Sequence, residues 1–313
     1  MANISVIIPC FNVEQYLPDA VASCLDQTLQ PSEVIIVDNH STDKTVVVAQ
    51  SLVDQYPNLI TLLHCYKNGA PAARNMGLKN ASCEWIQFLD ADDLLLPDKL
   101  KVQSRFISEN IPFIAGGAIY QQLDDSKTSI IPDRDIWKGT FKGEYAGNTC
   151  SNLWNRHDLD LIGGWNEDLK NTQDYDLIFR LIQQNENVAF SDELLTIHRD
   201  RPAGQISKKD PSGNWRRALE LRLDMFDYLK AKKESYFLEN KQYFEQILFA
   251  FISNYAKYNL TISNEFFVEY LGKDFKPVLH KDYYNKPLKM ALFFLFGFRR
   301  SELIWNKLRQ LFS

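Results

Sequence analysis

The chain has 313 residues, of which 45% are hydrophobic, 24% charged and 13% aromatic. That mix supplies a full core and, with 13 Gly and 12 Pro, excludes a collagen-like or low-complexity chain. The net charge of −5 argues against a general nucleic-acid binder, because a phosphate backbone calls for a basic face.

The charge is uneven. Residues 281–313 hold seven Lys or Arg against two acids, a net +5, which leaves −10 on the 280 residues before them. Five cysteines at positions 10, 24, 65, 83 and 150 form no CxxC pair. An odd, scattered set is neither a disulfide framework nor a zinc site. The first apolar run, Ile4 to Ile8, is too short for a signal segment, and no run reaches the roughly 18 apolar residues a spanning helix needs. These features predict a cytosolic, reduced protein.

In chain order, Ile4–Ile8 is a β-branched strand ended by Pro9. A helix over 17–27 follows, with Leu17, Val21, Cys24 and Leu25 on one face. Val34–Val37 is a buried strand, and Ser41 or Thr42 caps a helix to about Tyr56. Leu59–Leu63 is a strand, 70–81 a helix and Trp85–Leu89 a strand. Pro97 then opens a helix to about Ser108. Between 113 and 200 the pattern is less regular, with Gly116-Gly117 and Gly163-Gly164 punctuating short strands. A helix over 174–183 and a strand over 188–198 close this part. From about 215 the periodicity is helical: Phe244, Ile247, Leu248, Phe251, Ile252 and Tyr255 fit the i, i+3, i+4, i+7 template. A boundary falls near Pro202–Pro211. The expected domains are 1–207, with a nucleotide-binding half to 115 and an acceptor half over 116–207, and a helical extension over 208–313.

Strand–helix alternation with continuous apolar strands predicts a mostly parallel sheet covered by helices on both faces. Ligands in such sheets bind beyond the carboxyl ends of the strands. Three segments lie there: Pro9-Cys10-Phe11-Asn12, Asp38-Asn39-His40-Ser41 and Asp90-Ala91-Asp92-Asp93. None carries a GxGxxG fingerprint, which excludes the dinucleotide-binding version. The third holds three carboxylates in four residues, a repulsion that a hard cation such as Mg²⁺ or Mn²⁺ relieves. Mg²⁺ commonly completes its shell with phosphate, so the implied ligand is a metal-bound phosphate ester; the bland alternative is a solvated turn capping the next helix.

Six segments in order, VIIPCFNVEQYLPDAVASCLDQT, EVIIVDNHSTDKT, GAPAARNMGL, IQFLDADDLLLPDKL, IGGWNEDL and TQDYDLIFRL, make residues 3–207 resemble the family 2 glycosyltransferases of the GT-A fold. The resemblance implies that Pro9, Phe11, Asn12, Asp38, Asn39, Arg74, Asp90 and Ala91 hold the nucleotide. It implies that Asp92 holds a divalent ion (Mn²⁺ or Mg²⁺), with His198 reaching the metal or diphosphate. Asp174 matches the catalytic base, and Gly164-Trp165 the loop that shapes the acceptor side. The implied reaction is inverting transfer from a nucleotide-diphosphate sugar, UDP favoured, to a hydroxyl of a glycan or lipid-linked glycan in cell-surface polysaccharide synthesis.

Three positions depart from the family pattern. Asn39 stands for Asp but keeps an acceptor and adds a donor, so it can still read a base edge. Phe11 stands for Tyr and can stack without hydrogen-bonding. Gln173 stands for Glu, which leaves Asp174 without an acidic neighbour and close to its reference pKa near 3.9. Together Asn39 and Gln173 keep open a second class, a catalytically silent nucleotide-sugar or glycan-binding protein. A nucleotidyltransferase expects a Gly-rich basic loop where Pro9–Asn12 stands, and a DxD phosphatase expects its carboxylates after the first strand.

His40, His64, His157 and His280 read as structural or surface groups, Asp43 as a helix-start charge and Asp176 as structural. Trp165 divides evenly between stacking on an acceptor sugar and core packing. At the C-terminus, Met290–Phe298 is nine apolar residues followed by Arg299-Arg300. Leu303, Ile304, Trp305, Leu308, Leu311 and Phe312 then line one helical side. Nine residues cannot span a bilayer, but aromatic apolar surface beside basic residues suits a peripheral contact through 288–313 with the inner face of the plasma membrane. The alternative is packing on the catalytic domain or on a second copy in a homo-oligomer.

Overall fold

The computed structural model describes residues 2–143, 145–202, 210–281 and 284–312, with side chains through 309. The chain divides into two units, Met1–Gln205 and Ile206–Ser313.

The first unit begins with β1 (Ile4–Cys10), α1 (Leu17–Leu25), β2 (Glu33–Asp38), α2 (Thr45–Gln55), β3 (Ile60–His64), α3 (Ala70–Asn80) and β4 (Trp85–Phe88). The β-branched runs of β1 and β2 are buried on both faces, so neither face can be given to water. All pairings among β1–β4 are parallel, in the order β3-β2-β1-β4. The register sets Cys10 level with Asp38, and Asp38 level with His64. Ile7 pairs with Phe88, so Asp90 emerges beside the end of β1. β1 sits between β2 and β4, and the connections leave it in opposite directions. That switch point opens a crevice at the carboxyl ends.

Beyond β4 the sheet becomes mixed. β5 (Leu94–Leu95), α4 (Lys99–Ser104), β6 (Phe113–Gln121), β7 (Lys127–Ile130), α5 (Ile136–Lys142), β8 (Leu153–Asn155), α6 (Arg156–Leu161), α7 (Gln173–Gln184) and β9 (Ala189–Arg199) follow. The sheet order continues β4-β8-β6-β9-β5, with β7 on the other part of β6. β8 is antiparallel to β4 and β6, β5 is antiparallel to β9, and β6 runs parallel to β9. Strands of two or three residues carry too little pattern to be read from sequence.

Three boundaries differ from expectation. α2 starts at Thr45 rather than at Ser41 or Thr42, because those two residues bind Asn12, in the loop after β1, and Asp38, at the end of β2. α4 covers only Lys99–Ser104, and the chain after it turns through three-residue hydrogen bonds from Arg105 to Ile107. Gly116-Gly117 does not break a strand. It lies within β6, at an irregular register with β9. An added Cβ at Gly116 would stand 2.1 Å from the Ser151 carbonyl oxygen, so the missing side chain lets the 148–152 loop close on the sheet.

A buried polar layer sits beneath that loop. Lys99 is 1% exposed and donates to Gln87 Oε1 at 2.8 Å and to Gln103 Oε1. Gln87 Nε2 in turn donates to the Cys150 carbonyl at 2.7 Å, and Gln103 Nε2 to the Ser151 carbonyl at 2.9 Å. Burial pulls the Lys99 ammonium down to about 7. All five cysteines are buried free thiols.

The second unit contains α8 (Pro211–Lys232), α9 (Glu234–Glu239), α10 (Lys241–Tyr255), α11 (Leu260–Phe266), a π turn over Phe267–Leu271, and α12 (Pro287–Phe312). α12 is broken at Gly297, whose φ of 72° and ψ of 175° are non-helical. An aromatic core of Phe226, Phe237, Phe244, Phe249, Phe267 and Phe293 holds the unit together. Each ring contributes on the order of 1.5–3 kcal/mol by leaving water. In the second half of α12, Ser301 and Glu302 are buried, Ile304, Trp305 and Leu308 half-buried, and Leu303, Lys307 and Arg309 exposed. Glu302 pairs with Lys289 at 2.7 Å. The side chains of Leu311 and Phe312 lie outside the described residues.

Gly116→Ala should cost about 1–3 kcal/mol, because the obstacle is backbone that cannot rotate away. Urea unfolding should show a lower midpoint at unchanged slope; an unchanged midpoint would mean the loop is not held by that approach.

Candidate active site

Asp90-Ala91-Asp92-Asp93 turns directly off β4, with Asp93 N–H donating to the Asp90 carbonyl at 2.9 Å. Each carboxylate meets its own side-chain partner: a guanidinium at Asp90 and Asp92, an imidazole at Asp93. Asp90 Oδ1 takes Arg74 Nη2 at 2.7 Å. Asp92 pairs with Arg201 Nε at 2.7 Å. Asp93 takes His198 Nδ1 at 2.5 Å and the Arg199 N–H at 3.1 Å. Burial opposes ionisation of Asp90, yet Arg74 holds it below the usual carboxylate range. Asp92 behaves differently. Burial, reinforced by Asp93 and Asp90, pushes it up to about 6 despite Arg201. Three carboxylates in one turn supply the oxygen donors that a divalent cation takes, and Asp92 and Asp90 are its more exposed members, at 17% and 36% of the side chain against 7% for Asp93.

His198 is placed behind the turn. Its Nε2 faces Asn148 Nδ2 at 2.7 Å. Asn148 Oδ1 is taken by the N–H groups of Cys150 and Ser151, at 3.0 and 2.9 Å, which fixes the amide orientation. The donor at Nε2 requires a lone pair there, so this geometry describes the tautomer with its proton on Nδ1, shared with Asp93. Burial opposes a second proton, while Asp93, Asp90 and Asp174 draw one in and raise the imidazole to about 9. The hydrogen bonds favour the neutral ring. Asp93, Cys150 and His198 bring ligand atoms within 4.8 Å of one another. Burial raises the Cys150 thiol well above its ordinary value, and both imidazole nitrogens are engaged. In this arrangement His198 supports Asp93.

Arg74, on α3, is 5% exposed. Its Nη1 donates to Gln173 Oε1 at 3.0 Å and its guanidinium lies 4.6 Å from the Trp165 ring centroid. Its Nε has no hydrogen-bond partner among the described residues. Gln173 and Asp174 open α7, and Thr149 Oγ1 donates to Asp174 Oδ1. Burial raises the Asp174 pKa, with Asp90 adding and Arg74 opposing. The expectation that Asp174 keeps its reference value is corrected: enclosure outweighs the loss of an acidic neighbour at Gln173.

Across the crevice, Phe11 is 52% exposed just past β1. Asn12 adopts a left-handed φ of 51°, which an Asn tolerates, and its Oδ1 accepts the Thr42 N–H at 2.8 Å. Pro9 sits in β1 opposite Val37. Asp38 is buried at the end of β2 and accepts the Ser41 N–H at 3.3 Å. Ala91 is buried within the acidic turn. Asn39 is fully used inside the protein. Its Nδ2 donates to the carbonyls of Cys65 and Lys67, and its Oδ1 accepts the Gly69 N–H at 2.8 Å. It ties the β3–α3 loop to β2, so the expected base-edge reading gives way to a structural role. The departure from Asp follows, since a carboxylate could not donate to two carbonyls.

On the acceptor side, Gly163 and Gly164 have φ of 77° and 70°. Asn75 clamps the loop that follows: its Oδ1 accepts the Trp165 N–H at 2.8 Å, and its Nδ2 donates to the Trp165 carbonyl and to Glu167. An added Cβ at Gly164 would stand 2.5 Å from Asn75 Oδ1. Trp165 is 2% exposed and packs edge-on against Phe88 and Trp154. It offers no open face to a sugar; it carries the Arg74 guanidinium instead. Asn75, Thr149, Asn148 and Arg201 were not found from sequence. Asn75 lay in the GAPAARNMGL segment, while the other three follow no spacing rule.

Asn39→Asp should destabilise the fold by about 1–3 kcal/mol, since it sets a carboxylate against two buried carbonyls. A chemical denaturation curve that superposes on wild type would remove the structural explanation of this residue.

The Glycosyl transferase family 2 model matches residues 5–164. An uncharacterized glycosyltransferase of Haemophilus influenzae is 38% identical over 110 residues, 35% of this chain and 44% of that protein. The minor teichoic acid biosynthesis protein GgaB of Bacillus subtilis is 29% identical over 223 residues, 68% of this chain and 24% of that protein. The matches thus span less than half of either relative. Among solved structures, S. aureus TarS 1–349 in complex with UDP-GlcNAc aligns with a TM-score of 0.56 at 19% identity, over 82% of each chain. The mannosyltransferase PcManGT from Pyrobaculum calidifontis in complex with GDP-Man and Mn²⁺ aligns at 0.55 and 16% identity, over 99% of this chain and 87% of that one. These likenesses show a GT-A fold: a mixed, curled sheet flanked by helices, with a helical C-terminal region. With its family model covering half of its length, the chain belongs to glycosyl transferase family 2.

Proposed function

We propose that the protein is an inverting, metal-dependent glycosyltransferase that moves a sugar from a nucleotide-diphosphate donor to a hydroxyl of a glycan or lipid-linked glycan. The carrying observation is that Arg74 joins the acidic turn to the start of α7, donating to Asp90 at 2.7 Å and to Gln173, the neighbour of Asp174, at 3.0 Å. Exposed Phe11 suits stacking on the base, and Asp38 the ribose or base edge. Asp92 would hold Mn²⁺ or Mg²⁺, which when bound neutralises the diphosphate leaving group. Arg74 keeps Asp90 ionised and brings a guanidinium to the same crevice.

In the reaction the acceptor oxygen bonds to the anomeric carbon as the bond from that carbon to the diphosphate oxygen breaks. The hydroxyl proton passes to Asp174, whose raised pKa suits a base that must first hold and then release it. A base and a leaving group on opposite faces of the sugar give inversion. Gly164 and its loop would border the acceptor.

A UDP-sugar is the favoured donor, supported by the family membership and by the UDP-GlcNAc complex of TarS; GDP-Man in PcManGT marks the other base to test. The teichoic acid relative supports a place in cell-surface polysaccharide synthesis. Such work on a lipid-linked acceptor puts the enzyme in the cytoplasm, peripherally at the inner face of the plasma membrane. Gln173 and Asn39 favour the second reading, a silent binder of nucleotide sugar. In the structure both are hydrogen-bonding replacements, and neither removes Asp92 or Asp174.

Donor binding should raise the melting temperature only when Mn²⁺ or Mg²⁺ is present, since a ligand at about 100 times its Kd adds about 2.7 kcal/mol. Asp92→Asn should abolish that metal-dependent gain. Asp174→Asn should keep it and lose about 10²–10⁴-fold in transfer. Transfer at the wild-type rate in Asp174→Asn would refute the base assignment. Donor binding without any nucleoside diphosphate release from wild type would favour the silent binder.

A further inference from the structure

We infer that the cavity beside the Gly297 break is a membrane-docking site that takes the phosphate headgroup of an anionic lipid. The site extends the peripheral placement proposed above, but its chemistry needs no sugar transfer.

The break creates an inside and an outside within a few residues. Gly297 takes a φ of 72°, a left-handed value that favours glycine, and a Cβ there would meet nothing within 4 Å. The turn is therefore a backbone requirement and not a packing one. On its two sides Phe293 and Phe298 are both buried, with ring centroids 5.6 and 6.0 Å from Phe249. Phe298 also stacks on Phe267 at 4.5 Å. The three residues between Phe293 and Gly297 are turned out: Phe294 is 55% exposed, Leu295 72% and Phe296 45%. A soluble helix end seldom presents three large apolar residues in a row.

A cavity of about 580 Å³ opens beside this tip. Buried Phe267, Phe275, Phe293 and Phe298 line it, together with exposed Phe294 and Phe296. Lys273, Lys276, Arg299 and Arg300 also border it. All four are exposed, and none makes an ion pair with a carboxylate among the described residues. Asp274 is an exposed acid in the same loop, so the balance around the cavity stays positive.

An apolar lining ringed by four cations is complementary to an anion that carries hydrocarbon. A free nucleotide or inorganic phosphate would use the cations and leave the phenylalanines in water. An apolar protein partner would use the phenylalanines and leave the cations unmatched. An anionic bilayer satisfies both: the headgroup phosphate sits among the Lys and Arg side chains while Phe294, Leu295 and Phe296 enter the acyl boundary. No helix of the described residues is long and apolar enough to cross a membrane, so this contact lies on the surface.

Flotation of the full-length chain with phosphatidylcholine vesicles, and with vesicles in which a third of the lipid is phosphatidylglycerol, tests the site. Wild type should float only with the anionic vesicles, and less at high salt. The double variant Arg299→Glu, Arg300→Glu should lower partitioning by about tenfold or more. Leu295→Asp should lower it too, with melting temperature unchanged because the residue is exposed. Equal binding by wild type and both variants would overturn the proposal. So would full displacement by inorganic phosphate, which would identify a free-phosphate site. A wild-type dimer in sedimentation velocity that Leu295→Asp dissociates, with no vesicle binding, would assign the face to a second copy and also overturn it. Asp92→Asn should float like wild type, so failure of the transferase reading and failure of the lipid site are told apart.

Discussion

Three carboxylates at the end of one strand have to be kept apart in charge, and the architecture around the crevice follows from that demand. Arg74 reaches Asp90 from α3, His198 and Arg199 reach Asp93 from β9, and Arg201 reaches Asp92 from just beyond it. Elements distant in sequence therefore converge on four residues. Arg74 holds Asp90 below the usual carboxylate range while burial raises Asp92, and the proposed chemistry uses that asymmetry. Two of the supports are themselves buttressed: Arg74 lies over Trp165, and His198 is gripped by Asn148 and stacked against Tyr120 at 4.9 Å.

Much of the first half was legible because its signals are local. The β-branched runs of β1 and β2 cannot be solvated on either face, and the acidic turn follows an apolar strand at once. The positions that misled are those whose role depends on a distant partner. Asn39 looked like a base reader until the carbonyls of Cys65 and Lys67 claimed its amide. Trp165 resembles a sugar platform in sequence, but Asn75 folds its loop inward. Thr149 has no signature at all; it reaches Asp174 only because Gly116 lets the 148–152 loop approach the sheet. The short antiparallel strands β5 and β8 were invisible for the same reason, being defined by what they pair with.

The layer below the crevice links packing to positioning. Lys99, Gln87 and Gln103 form a satisfied polar group inside an otherwise apolar core, and its outward bonds end on the carbonyls of Cys150 and Ser151. A purely apolar layer would fill that volume equally well but could not fix the loop that carries Thr149. The cost is a buried ammonium whose proton is weakly held. Buried polar networks of this kind trade stability for a single arrangement of the groups above them.

The distribution of sulfur has a practical consequence. Every thiol of the chain is enclosed, and all five belong to the first unit, two of them bordering the crevice at Cys10 and Cys150. A maleimide or similar reagent can alkylate them only when that unit opens, so the rate of modification is a clock for its opening and is blind to the helical unit. The protein thereby carries a built-in reporter that separates the breathing of its two halves without any label being introduced.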